Sequence, residues 1–302
     1  MEYEKFKENL CEGIKNFYGD EVEIVFEQVL KNNGQYYDGI RIAYKDSGKI
    51  VPVIYIDEIY DKFLNGELSM KKCVLKVCKL REDSECTEEL LAFAEQLVQW
   101  DAIKDKVYPV LISLEQNREL LQSLVYTQML DLAVTYVVRV KLPDIGLGTV
   151  KICKTLLKEY GIDEGQLHET AMHNLKKDAY EFRSMNSIME KLHCIKGQKN
   201  DEIWDEIEKR GIYVLSNRDA VYGAAGILNK ELIKEFAEGR NFYVIPSSLH
   251  ETIFMRTDSW IDYKEVDKMI AEINELVLDK QDVLADHCYY YDGKADEIRM
   301  CA

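Results

Sequence analysis

Four prolines in 302 residues, at Pro52, Pro109, Pro143 and Pro246, leave no proline-rich linker. No uncharged run reaches the roughly 18 apolar residues that a bilayer span requires; the longest candidate, LLQSLVYTQML between Glu119 and Asp131, is too short and too polar. The opening Met-Glu-Tyr-Glu-Lys-Phe-Lys reads as a charged amphipathic helix and lacks the apolar region of a secretory signal. Eight cysteines contain no C-x-x-C and no repeating interval, so reduced thiols in a reducing cytosol are expected. The spacings thus predict a cytoplasmic protein with no membrane association.

Basic residues are also scarce, 39 against 55 acidic ones, for a net charge of −16. Residues 1–100 hold 13 basic and 20 acidic side chains, 101–200 hold 14 and 13, and 201–302 hold 12 and 22. Such a field repels a phosphate backbone, because nucleic-acid affinity rests on cations that displace counterions. Direct nucleic-acid binding is therefore not expected. An acidic surface suits another protein as partner, and in the extreme case it imitates DNA to occupy a nucleic-acid-binding protein. With 47% hydrophobic and 31% charged residues the chain is of globular composition, long enough for one large domain or two modest ones.

Helical and extended patterns alternate along it. Tyr3, Phe6, Leu10, Ile14 and Phe17 form one stripe of a helix. VEIVFEQVL and QYYDGIRIAY flank Asn33-Gly34, a pair suited to a tight hairpin turn. KDSGK, 45–49, turns into the strand IVPVIYI, which Pro52 confines to a sheet edge or a bulge. Helices are predicted over 57–65, closed by Gly66, over 70–81, capped by Ser69, and over 87–100.

Farther on, VYPVLIS and LAVTYVVRV read as strands, the second apolar on both faces as a central strand is. TVKIC, the helix TLLKEYG, and a longer helix capped by Asp163 with Gln166 follow; then come a polar helical region around Trp204, strands IYVLS and AVYGAAGIL, and the helix NKELIKEFAEG. Two strands around FYVIPSSLHETIFM, a helix capped by Asp262 with Glu265, and a strand at 287–291 complete the pattern. KTLLKEY and KELIKEF, each placed after a hairpin, suggest repeated strand-strand-helix units. The reading is an α+β fold of mixed, largely antiparallel sheets with flanking helices and two sub-structures: an N-terminal part over 1–100 and a C-terminal part over 101–302.

Several motifs fail on spacing. LHETAMH resembles the zinc-protease H-E-x-x-H, but His168 and His173 are five apart, roughly 140° around a helix, and cannot share an ion. His168 and Glu169 are expected on its wet side, and Cys73 and Cys78 fail as a ligand pair for the same reason. No metal and no cofactor are predicted. DIGLGTVK has neither the third glycine of a dinucleotide loop nor the G-K-[ST] of a phosphate loop, and Thr149 stands where a nuclease motif from Asp144 to Lys151 needs an acid.

PSSLHE, 246–251, is the remaining place for chemistry. If extended, it sends Ser248 and His250 to one face and Ser247 and Glu251 to the other, which offers a serine nucleophile and its base. The competing reading is that the serines close a turn and His250 is a satisfied polar residue. The nucleophile elbow G-x-S-x-G is absent.

YVLSN (213–217), YGAA (222–225), FYVIPSSLHE (242–251) and DVLADHCYYYD (282–292), with LKNNGQYYDGIRI and IVPVIYIDEIYDKFLNGE, resemble a family of domains of unknown function from clostridial-type gut bacteria. The resemblance spans nearly the whole chain and implies no activity, cofactor or substrate. The expectation that follows is a non-enzymatic cytoplasmic binding or regulatory protein acting through an acidic surface. Its rivals are a small-molecule hydrolase or transferase using His250 with Ser247 or Ser248 and Glu251, and a DNA-mimicking inhibitor.

Overall fold

A computed structural model describes residues 2–45, 51–83, 88–142, 146–196, 211–257 and 262–301. The chain is an α+β protein of two compact units, one comprising Met1–Lys31 and Gln35–Leu97, the other Asn32–Gly34 and Val98–Ala302.

The first unit begins with α1 (Tyr3–Tyr18), which buries Phe6, Leu10 and Ile14 completely, as their spacing of four demands, while Phe17 at the end of the stripe is half exposed. β1 (Val22–Leu30) and β2 (Tyr36–Tyr44) pair antiparallel from Val22↔Tyr44 to Leu30↔Tyr36. β3 (Ile54–Tyr55) adds to β2 as an edge strand, and Pro52 lies outside the ladder. α2 (Asp57–Leu64) ends before Gly66 at φ 76°, and α3 (Met70–Asp83) starts after Ser69, whose Oγ accepts the Lys72 N–H. The α1 stripe, Ile40 and Ile42 of β2, Ile59 of α2, and Cys73 and Val77 of α3 share one core. Each such aliphatic or aromatic side chain contributes about 1.5–3 kcal/mol on burial. At Gly13 a Cβ would meet Val74 Cγ2 at 2.4 Å, so α1 and α3 approach closely there. α4 (Glu88–Gln96) completes the unit. The helix predicted over 87–100 stops at Gln96, and α5 (Trp100–Ile103) is a separate turn of the second unit.

In the second unit β6 (Leu132–Leu142) is central to a small sheet. β4 (Val107–Ser113) pairs along one side of it; β5 (Tyr126–Met129) and β7 (Gly146–Lys151) follow one another along the other. Residues 132–139 are buried, as the two-faced apolar run requires. α6 (Lys154–Tyr160) ends at Gly161, φ 66°. α7 (Glu164–Lys177) carries the expected capping box between Asp163 and Gln166.

A six-stranded sheet follows, in the order β13-β12-β10-β11-β9-β8, made of β8 (Tyr180–Ser184), β9 (Ile212–Asn217), β10 (Phe242–Ile245), β11 (Thr252–Arg256), β12 (Tyr289–Asp292) and β13 (Glu297–Met300). α8 (Met185–Lys196) follows β8, and every ladder described is antiparallel. α9 (Lys230–Ala237) sends Phe236 against this sheet, stacked on Phe182 with ring centres 3.6 Å apart and edge-on to Phe254. α10 (Tyr263–Leu276) packs Val266 and Ile270 against Met255 and Cys288. Among the described residues no helix is long and apolar enough to cross a membrane.

The structure departs from the sequence reading at several points. AVYGAAGIL is not a strand: Ala220 and Tyr222 have φ of 50° and 55°, and Gly223–Leu228 is a 3-10 turn. A Cβ on Gly223 would sit 2.3 Å from both His250 O and Ser216 Oγ, so close backbone approach overrides the local β preference. The KELIKEF helix therefore follows a turn and not a hairpin, and the strand-strand-helix repeat fails. β8 has no counterpart in the sequence pattern, and the tail forms two strands instead of the single one at 287–291. Asp262 occupies the N-cap of α10, but its side chain makes no capping bond. PSSLHE is a loop between β10 and β11 and not an extended segment. The KDSGK turn, Pro143-Asp144 and Trp204 lie outside the described residues in whole or in part.

Candidate functional site

The loop 246–251 folds back on itself. Ser248 is buried, its Oγ accepts the His250 N–H at 3.1 Å, and its own N–H reaches Glu251 O at 3.3 Å. The His250 ring takes the Tyr222 N–H on Nδ1 at 3.3 Å and holds Nε2 3.7 Å from Asp282 Oδ1. A neutral imidazole that accepts on Nδ1 carries its proton on Nε2. The lone pair a base would use is thus occupied by a backbone N–H, and the remaining proton faces a carboxylate. Ser247 is part-buried, and its N–H donates to Ile245 O at 2.9 Å. YGAA, PSSLHE and the segment beginning at Asp282 meet here, since Leu249 N–H also donates to Asp282 O at 2.9 Å.

The LHETAMH histidines part as their spacing requires. His173 is exposed, whereas His168 is half-buried, with Nδ1 2.9 Å from the hydroxyl of buried Tyr136. His168 is therefore not on the wet side of α7. Among the described residues no group of three or more His, Cys, Asp or Glu side chains could hold a metal ion.

A second constellation has no motif in the sequence to mark it. β5 and β6 are joined by the two-residue turn Leu130-Asp131, closed by Met129↔Leu132. Leu130 has φ 55°, a conformation that costs an L-residue about 1–2 kcal/mol and that glycine or asparagine takes more readily. The turn projects the Asp131 carboxylate toward the segment just before β12. There His287 Nε2 lies 3.2 Å from Asp131 Oδ2, His287 Nδ1 lies 3.0 Å from Asp286 Oδ1, and Tyr289 Oη donates to Asp131 Oδ1 at 2.7 Å.

Three asparagines hold the walls of this site. Asn33 N–H donates to Asn117 Oδ1 at 2.8 Å, and Asn117 Nδ2 returns bonds to Asn33 Oδ1 and Ser113 O, both at 2.8 Å. Asn33 Nδ2 donates to Lys280 O at 2.8 Å and Val283 O at 2.6 Å, and Asn32 Nδ2 to Gln281 O at 2.7 Å. The positive φ of Asn33, 57°, lets one residue bind both the loop after β4 and the approach to His287.

Between those walls lies a cleft of about 890 Å³. Its charged lining is balanced: Glu115, Asp131 and Asp286 against Arg118, Lys154 and His287. The Asp131 carboxylate beside it drives His287 up to about 9, against the opposing effect of burial and with help from Asp286. Burial works to raise Asp131, but His287 and the Tyr289 hydroxyl outweigh it and hold the carboxyl below its ordinary range. Burial, then the bond to Asp131, pushes the Tyr289 phenol far up. At neutral pH the cleft therefore presents the His287 imidazolium and the Asp131 carboxylate, the latter held from behind by the neutral phenol of buried Tyr289. Such groups suit electrostatic recognition, and a histidine that already carries its proton is not available as a base.

Fold and site together define an α+β protein with a polar cleft lined by charges of both signs. The chain belongs to the family of unknown function DUF5688, whose model matches residues 3–293. No curated protein and no solved structure matches it.

Proposed function

We propose that this is a non-enzymatic binding protein that holds a small, polar molecule bearing both charges in the Asp131–His287 cleft. The observation that carries the reading is the His287 imidazolium clamped between Asp131 and Asp286. A cation whose charge is compensated by fixed neighbours orients a ligand without exchanging protons with it. The volume suits a ligand of amino-acid to nucleotide size, since small-molecule sites span roughly 300–1,000 Å³.

The net charge of −16, carried by the two ends of the chain, supports a regulatory role in which the acidic surface meets a basic protein. The hydrolase or transferase alternative draws its support from Ser247, Ser248, His250 and Glu251 lying in one loop; the engagement of Ser248 Oγ and His250 Nδ1 by backbone N–H groups weighs against it.

Titration with free amino acids and dipeptides, followed by the NMR signals of the His287 ring, tests the proposal. Saturable movement of those signals, lost in Asp131→Asn, is expected. Labelling by a serine-reactive probe that disappears in His250→Ala would favour the enzyme instead.

A further inference from the structure

The β12–β13 ladder ends at Tyr289↔Met300, so the next residues outward, Cys288 and Cys301, stand opposite one another. Their Sγ atoms are 3.7 Å apart, in van der Waals contact. Opposed residues on antiparallel strands have Cα atoms about 4.5–5.5 Å apart, inside the range of about 4.4–6.8 Å that a disulfide bridges. The other described cysteines lack such an arrangement. Cys73 and Cys78 are both buried on α3 and five apart, and the Cys153 thiol sits at the start of α6, accepting the Leu156 N–H.

We infer that Cys288 and Cys301 form a redox-active dithiol site that low-molecular-weight disulfides of the glutathione class oxidise to a cross-strand disulfide. Cys301 is part-buried and Cys288 buried, so the first encounter falls to Cys301. Its thiolate attacks one sulfur of the oxidant, forming a mixed disulfide and releasing one thiol. Cys288 then gives up its proton and attacks the Cys301 sulfur, and the second thiol leaves. Two electrons and two protons pass from the cysteine pair to the oxidant, which becomes two thiols. Burial raises both cysteine thiols, so the reaction is slow without the proximity that the ladder supplies. Two thiols alone do not make a metal centre, and no third ligand joins them among the described residues.

Closure pins the end of the β12–β13 ladder one residue after His287. The inference is nonetheless independent of what the cleft binds. The folded, full-length protein is incubated with oxidised glutathione, quenched with an alkylating reagent, and mapped by mass spectrometry. The expected product has lost two hydrogens and two alkylatable thiols, yields a cross-linked peptide pair containing Cys288 and Cys301, and reverts on treatment with dithiothreitol. In Cys288→Ala the glutathione adduct accumulates on Cys301, because no thiol remains to displace it. Wild-type protein in which both cysteines stay alkylatable, or in which glutathione remains attached to Cys301, overturns the inference whatever the variant does.

Discussion

Tyr289 donates its hydroxyl to Asp131 Oδ1 at 2.7 Å, across 158 residues of chain, from the first residue of β12 to a hairpin turn between β5 and β6. The bond fixes the carboxylate that in turn fixes His287. Tyr289 is fully buried, so Tyr289→Phe keeps the ring packing and removes only the donor. A hydrogen bond to a charged acceptor is worth about 1.5–3 kcal/mol. Equilibrium urea unfolding should register a loss of that order, with an unchanged dependence on denaturant.

Stability should fall as the pH rises through the slightly alkaline range. The folded His287 titrates at about 9, above the ordinary value of 6.5. Its contribution is therefore complete below the unfolded value and disappears as pH climbs through the folded one. The side chain is 24% exposed, so little is lost to solvent screening. The swing between about pH 6 and about pH 9.5 should approach roughly 3 kcal/mol as an upper bound. Cys288 and Tyr289, also raised, add losses only above the ordinary thiol and phenol ranges. The difference between wild type and Asp131→Asn across this interval isolates the His287 part and should account for most of it.

Gly223→Ala should destabilise the protein by about 1–3 kcal/mol, since an added methyl would meet His250 O and Ser216 Oγ at 2.3 Å. The Ser216 hydroxyl itself donates to His250 O at 2.8 Å, so the loop must move as a whole. Thermal unfolding measures the loss, and shifted amide signals from 246–251 would locate it. An unaltered melting temperature would mean that the turn has room the structure denies it.

His168→Ala should cost about 1 kcal/mol, because Tyr136 Oη is left with only Thr127 Oγ1 at 3.4 Å. His173→Ala, at an exposed position, should change nothing measurable. Equal effects of the two in thermal unfolding would contradict the division of LHETAMH into an inward and an outward histidine.

What could be read ahead of the structure was local. The α1 stripe, the Asn33-Gly34 hairpin and the Asp163–Gln166 capping box depend on residues within a turn or two of one another, so their signals survive in the sequence. The 3-10 turn at Gly223 depends on the carbonyl of His250, and β8, five residues long, depends on the edge that β9 offers. No local pattern encodes either. The pairing of Asp131 with His287 has no spacing at all to betray it. Its sequence traces were indirect: DHCYYYD carried the family resemblance without a mechanism, and Leu130-Asp131 is an unusual pair for a two-residue hairpin. Ser248 and His250 are near neighbours in sequence, but in the folded loop both are engaged by backbone N–H groups.

His287 is a fixed cation in the cleft, held there by Asp131. Following the ring protons of His287 by NMR through a pH titration tests it most directly. The expected midpoint is near 9 in the wild-type protein, with a marked fall in Asp131→Asn. A wild-type midpoint at the ordinary histidine value, unmoved by that substitution, would contradict it.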